Sequence, residues 1–214
     1  MRHFNLVPRR AFLKSATGVA GVMVFGPMST PSLAKGTTPE NLMTAYDGES
    51  NASARYTEFA KKAEADGYMP VASLFRAAAQ SEKIHANNHA EVIKKMGGTP
   101  KADIQKVEVK STKENLEAAL KGETYERDVM YAEFLKQAKA ENNKPAIRTF
   151  NFAKSVEAIH AALYSEALAN LAQLKSGQKK QYYVCPECGN TVVALPSAKC
   201  PICFTPKEMF DPVS

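Results

Sequence analysis

The 214-residue chain has no tryptophan, and no apolar run reaches the roughly 18 residues that would mark a permanent membrane-spanning helix. Histidine is scarce, at four, and the four cysteines all lie beyond residue 183. The first 34 residues hold no acidic side chain at all. With 44% hydrophobic and 23% charged residues, the composition excludes disorder as a description of the whole chain. The length suffices for one medium domain with a small one attached. The formal charge of +6 suggests a polyanionic partner until its distribution is read.

Much of that charge belongs to an N-terminal address. Pro8-Arg9-Arg10-Ala11-Phe12-Leu13-Lys14 is followed by a weakly apolar stretch from Ala16 to Met28 and then by Ser32-Leu33-Ala34. Basic region, short apolar region and small-residue cleavage site is the order of an export signal. The twin arginine resembles the twin-arginine type, which exports folded, cofactor-loaded proteins. Residues 1–34 are therefore expected to be a leader cleaved after Ala34, with the mature protein in the periplasm. Its loss would remove Arg2, Arg9, Arg10 and Lys14 and leave 24 basic against 22 acidic residues. Nucleic acid then has no support as a partner.

Residues 35–174 form the main domain. From Pro39 to Leu174, apolar residues recur at helical spacing, and four helices are expected over 39–66, 70–96, 112–141 and 145–174. Pro39 and Pro145 suit first turns, Gly67 and Gly97-Gly98 suit helix ends, and Ser111-Thr112-Lys113-Glu114 has the form of a capping box. The longer 97–111 connection predicts two helical hairpins joined by a crossover.

The hairpins repeat one another. Tyr56-Thr57-Glu58-Phe59 answers Tyr131-Ala132-Glu133-Phe134, and Glu82-Lys83-Ile84-His85 answers Glu157-Ala158-Ile159-His160, each 75 residues on. Glu49 and Glu123 are only 74 apart, so one extra residue lies between Glu123 and Tyr131. A helix absorbs a single insertion most easily as a π-turn, which is expected within 124–130.

Glu-x-x-His on a helix puts carboxylate and imidazole one turn apart on one face. Glu82 with His85 and Glu157 with His160 have this spacing, while Glu49 and the Glu123/Glu126 pair come from the other two helices. One glutamate from each of two helices plus Glu-x-x-His from the other two is the ferritin-like di-metal pattern. Five carboxylates buried together would be prohibitively costly without cations. The oxygen-rich set suits iron or manganese. His89, one turn beyond His85, is expected in the core or behind a ligand. Tyr56 and Tyr131 are expected either to pack or to hydrogen-bond a ligating carboxylate. Glu64, Glu91, Glu114, Glu117 and Glu141 read as solvated.

After a polar linker at 175–182, residues 183–214 carry Cys185-Pro-Glu-Cys188 and Cys200-Pro-Ile-Cys203. Two such knuckles describe a tetrahedral four-thiolate site for iron or zinc. A tail this short needs a staple, and folding around metal before export disfavours disulfides. Tyr182, Tyr183, Phe204 and Phe210 are expected to shield the site, as suits a redox centre.

A ferritin-like four-helix bundle followed by a rubredoxin-like four-cysteine domain resembles the rubrerythrin family, over residues 41–210. The resemblance implies a di-iron pair, with Glu49 and Glu123 terminal, Glu82 and Glu157 bridging and His160 on the second iron. Glu126 and His85 would be alternative ligands of the first. It implies reduction of hydrogen peroxide to water in defence against oxidative stress, with Glu126 and His85 as catalytic residues. Electrons would come through the four-cysteine iron, commonly that of another subunit in a homodimer or larger assembly. Outside the inner membrane NADH is not available, so a redox donor protein such as a periplasmic cytochrome or a quinol-linked protein is expected. Iron storage, and a non-catalytic electron carrier or redox sensor, are the competing readings.

Overall fold

The computed structural model describes residues 36–214; the leader expected at 1–34 lies outside the described residues. Local chemistry explains where the helices begin and end. α1 (Thr38–Ala65) starts where the Thr37 amide donates to the Glu40 carboxylate at 2.7 Å, with Pro39 in its first turn. It ends at Gly67, whose positive φ of 81° lets the Tyr68 amide reach back to the Ala63 carbonyl. α2 (Met69–Lys95) closes in the same way on Gly97. The expected capping box opens α3 (Thr112–Tyr125): the Glu114 amide donates to Ser111 Oγ and the Ser111 amide to Glu114. A π-turn over Glu126–Met130 leads into α4 (Tyr131–Ala140), and the Tyr131 amide bonds the Glu126 carbonyl five residues back. The insertion counted from the repeat is taken up there.

α5 (Lys144–Ala169) is capped by the Asn143 side chain, which accepts from the Ala146 amide. The fourth helix was expected to run to residue 174, but it breaks at Asn170. The Asn170 side-chain amide donates to the Glu166 carbonyl at 2.8 Å, competing with the helical ladder, and a last turn, α6 (Leu171–Leu174), follows. No helix among the described residues is long and apolar enough to cross a membrane.

The hairpins α1/α2 and α3–α4/α5 pack as one bundle. The crossover between them lies along α1, where Asp103 and Gln105 amides donate to the Asp47 and Asn51 side chains. Two apolar clusters build the core. One holds Tyr56, Phe59, Phe75 and Tyr164, the other Tyr131, Phe150 and Leu135 with Phe134 packed on it.

The tail is a small antiparallel sheet in the order β2-β1-β3, with β1 (Tyr182–Val184) between β2 (Thr191–Val192) and β3 (Asp211–Val213). β1 opens on the last residue of the expected linker because Tyr182 pairs with Val213. Strand alternation then separates the two tyrosines. Tyr182 and Val184 join the bundle core, while Tyr183 packs with Phe210 and the cysteines. Only part of the expected shield forms: Tyr182 points away from the cysteines, and Phe204, held at φ 66° just after the second knuckle, is 72% exposed.

Candidate metal centres

Four helices bring six of the seven expected bundle ligands to one buried place. Glu49, Glu82, His85 and Glu157 form one donor group, and Glu82, Glu123, Glu157 and His160 form a second. Glu82 and Glu157 belong to both. Glu82 turns Oε2 to His85 Nδ1 at 2.8 Å and Oε1 to His160 Nδ1 at 2.9 Å, and Glu157 does the same at 3.1 and 3.2 Å. The one-turn spacing read from each Glu-x-x-His is thus realised twice, face to face.

These close approaches are not hydrogen bonds. Both Nδ1 atoms and the facing oxygens of Glu82 and Glu157 are buried without a hydrogen-bond partner. Ligand atoms about 2.1 Å from a shared metal stand about 3 Å apart at right angles, which is the spacing found here. The imidazole tautomers agree. His85 Nε2 lies 3.1 Å from the Cys188 carbonyl, which only accepts, so this nitrogen carries the hydrogen and Nδ1 presents its lone pair. Thr191 spends its hydroxyl hydrogen on the Gly189 carbonyl, so its oxygen accepts from His160 Nε2 at 3.1 Å, with the same result. The residues present fit a di-iron pair.

Glu126 is the exception. It opens the π-turn, is half-buried, and joins neither donor group; His85 stands in the first group instead. The Glu126 carboxyl is still close enough to the donors for burial, together with the charges of Glu123, Glu157 and Glu82, to push it well above the usual carboxylate range.

Behind the donors, each tyrosine serves the other half of the repeat. Tyr56 donates to Glu123 at 2.5 Å, and Tyr131 donates to Glu49. His89, fully buried, contacts the Tyr131 hydroxyl, as its place one turn beyond His85 suggested. Sequence reading missed Ser81, Thr149 and Thr191. Small polar residues scattered over helices and a strand have no spacing signal.

In the metal-free protein, protons take the place of the cations. Burial, with Glu82 and Glu157 beside it, pushes the Glu123 carboxyl up to about 8. Burial alone would lower His85, but the Glu157 and Glu82 carboxylates outweigh it and raise the imidazole to about 10. Both groups hold protons when folded that they release when unfolded, Glu123 above its ordinary 4.5 and His85 above its ordinary 6.5. Stability of the metal-free bundle should therefore fall as pH rises between those ordinary values and the raised ones. Metal displaces the protons and cancels the trend. Far-UV melting of chelator-treated protein should show Tm declining from about pH 5 to about pH 9, and no such decline once metal is restored. A metal-free Tm that climbs over this interval would contradict the assignment.

The tail gathers Cys185, Cys188, Cys200 and Cys203 into a third donor group. Sulfur separations of 3.5 Å between Cys185 and Cys203 and 3.6 Å between Cys188 and Cys200 are near the edge of about 3.8 Å for a tetrahedron with bonds of about 2.3 Å. All four cysteines are free thiols rather than disulfides. The first knuckle rests on the bundle. Ser81 Oγ donates to the Gly189 carbonyl at 2.7 Å, beside the His85 contact to Cys188. Asn88 and Arg148 hold the backbone carbonyl and the carboxylate of Glu187.

The rubrerythrin family's sequence model matches residues 40–168. The chain belongs to the rubrerythrin family. It is 36% identical to nigerythrin of Nitratidesulfovibrio vulgaris over 187 residues, 87% of this chain and 91% of that one. Rubrerythrin-2 of Clostridium acetobutylicum is 35% identical over 180 residues, covering 81% and 95%. A solved structure of fully reduced, all-ferrous nigerythrin superposes with a TM-score of 0.77 at 32% identity, covering 94% of this chain and all of that one. A bacterioferritin from Mycobacterium tuberculosis, at 18% identity and a TM-score of 0.59, shares the bundle fold. The architecture is thus a ferritin-like bundle with a rubredoxin-like four-cysteine site, and the donor sets fit a di-iron pair and one tetrahedral metal.

Proposed function

We propose that the protein is a non-haem di-iron peroxidase that reduces hydrogen peroxide to water, protecting its compartment against oxidative stress. One observation carries the reading: the cysteine tail touches both histidines of the bundle site, the first knuckle through Cys188 to His85 and β2 through Thr191 to His160. Iron storage has no use for a thiolate centre against its ligand histidines, whereas a two-electron site that must be re-reduced needs one. When bound, the iron pair supplies the two electrons that cleave the O–O bond, and the thiolate centre replaces them one at a time.

The chain's own residues set the conditions for this chemistry. Glu82 and Glu157 span both positions, Glu49 and Glu123 end them, and His160 completes the second. By resemblance, His85 and Glu126 would be alternative ligands at the first, with His85 in the donor group here and Glu126 at the start of the π-turn. The Cys188 carbonyl and His85 Nε2 are the shortest link between the centres. Family resemblance commonly draws the electron from another subunit; here the chain's own tail lies against its own bundle, so we assign the link within one chain. Assembly as a homodimer or larger homo-oligomer belongs to the same reading, as does export to the periplasm by the leader, with a cytochrome or quinol-linked protein rather than NADH as donor.

The test is anaerobic reduction followed by enough peroxide to take all three electrons of a fully reduced chain, each peroxide accepting two. Three irons per chain should be found, and both the di-iron and the thiolate iron signals should reoxidise. A zinc in the cysteine site, or a thiolate iron that stays reduced, would overturn the electron path. Recovery of the mature protein from the cytoplasmic fraction would overturn the placement.

A further inference from the structure

The two halves of the bundle copy each other's aromatic packing with one exception. On the Glu123 side stand Tyr56, Phe59, Phe75 and Tyr164, and on the Glu49 side Tyr131, Phe134, Phe150 and His89. Each residue has its counterpart 75 positions away, so His89 takes the place of Tyr164. Next to it in the same register, Thr149 takes the place of Leu74. Two polar residues have replaced less polar ones, both on the same side.

On that side the hydrogen bonds have one consistent direction. Tyr131 has a single hydroxyl hydrogen and donates it to Glu49, so its oxygen accepts from His89 Nε2, 3.0 Å away. His89 Nδ1 is then left to accept from the Thr149 hydroxyl, also at 3.0 Å. Only a neutral imidazole can donate at one nitrogen and accept at the other. Burial, with His85 nearby, keeps His89 neutral by lowering it to about 3. Tyr131 and His89 have no exposed surface, while Thr149 keeps 5% and forms the outer end of the chain. On the Glu123 side Tyr56 donates to Glu123, but the buried Tyr164 hydroxyl has no protein partner, and Leu74 has no polar atom to continue.

We propose that Thr149, His89 and Tyr131 form a one-sided proton path to the Glu49 donor group, and that Tyr164 and Leu74 close the equivalent path in the other half. Its use rests on the peroxidase reading; its geometry does not. Turning one hydrogen peroxide into two waters consumes two electrons, delivered through the four-cysteine centre, and two protons from solvent. A proton arriving at Thr149 Oγ1 sends that hydroxyl's hydrogen to His89 Nδ1. The Nε2 hydrogen passes to the Tyr131 oxygen, and the Tyr131 hydrogen leaves at Glu49 Oε1 for the substrate. One passage delivers one proton and leaves the His89 hydrogen on Nδ1; the first tautomer returns when the imidazole loses that hydrogen and takes one at Nε2 by exchange with solvent before the next turnover. His89 and Thr149 act through Tyr131 and are positioning residues.

The direction can be read without turnover, by nitrogen NMR of histidine-labelled, zinc-loaded protein. His89 should be neutral with its hydrogen on Nε2 across the neutral pH range; the Nδ1–H tautomer or an imidazolium would overturn the path. In the iron-loaded protein, Thr149→Val and His89→Phe should keep the metal content. Both should slow peroxide-driven oxidation at least about tenfold and change its solvent isotope effect, since a placed proton donor is worth roughly 10²–10⁴. Tyr164→Phe, in the closed half, should match wild type. Wild-type rates in Thr149→Val, the milder change, or an equal slowing in Tyr164→Phe, would refute the path. If wild type itself fails to reduce peroxide, the peroxidase reading falls, and the tautomer alone decides whether the path exists.

Discussion

Replacing Gly189 with alanine should part the cysteine tail from the bundle while leaving both donor sets intact. A Cβ at this position would lie 2.5 Å from Ser81 Oγ and 2.6 Å from His85 Nε2. Ser81 can turn aside, but His85 is packed among Glu82, Glu157 and Glu49 and has nowhere to go. The backbone adds to the cost. Gly189 sits at φ 78°, and a left-handed conformation costs a residue with a Cβ about 1–2 kcal/mol. The tail has to retreat, taking the Cys188 carbonyl away from His85. Stopped-flow measurement should show peroxide oxidising the di-iron site at the normal rate, while electron transfer from the thiolate iron falls by more than about tenfold, because transfer weakens steeply as the contact opens. Serine at position 81 offers the control, since Ser81→Ala removes one hydrogen bond and admits no clash. Normal internal transfer in Gly189→Ala would show that electrons do not pass through this contact.

The second large effect distinguishes the shared carboxylates from the terminal ones. Glu157 lends one oxygen to each donor group, whereas Glu49 belongs to the first group alone. Glu157→Gln keeps the volume but removes the charge, and should cost the bundle both metals; Glu49→Gln should cost one. Stability of the metal-free protein should fall as well. The Glu157 carboxylate is what chiefly holds the His85 proton against burial, so metal-free Glu157→Gln should melt below metal-free wild type near pH 8, between the ordinary 6.5 of His85 and its raised value of about 10. Elemental analysis and thermal melting on the same preparations read both. Two metals retained in Glu157→Gln would show that it does not bridge.

Much of the site could be read before the fold was known because its spacing is local. Glu82/His85 and Glu157/His160 need only one helical turn to converge, and each cysteine knuckle needs only its own loop. The π-turn at Glu126–Met130 was legible for another reason: an insertion in one copy of a repeat shows as an offset of 74 where 75 is the rule. Where the expectations failed, the deciding interaction was not periodic. Asn170 stops α5 through its own side chain, and Phe204 turns to solvent at a positive φ after its knuckle. Glu126 is a different case: it stands outside both donor groups while His85 occupies the first, one of the two arrangements the resemblance implies.

The amino-acid sequence by itself determined the four helices, the duplicated metal-binding motifs and the four-cysteine tail. Each is a consequence of residue type at fixed spacing, which backbone geometry converts into a shared face or a loop. Tertiary structure decided what the parts do to one another. It placed the Cys188 knuckle on His85, crossed Tyr56 and Tyr131 to the opposite halves of the repeat, and ran His89 out to Thr149 on one side only. Those contacts join residues from 60 to 103 positions apart, and no local rule of spacing reaches that far.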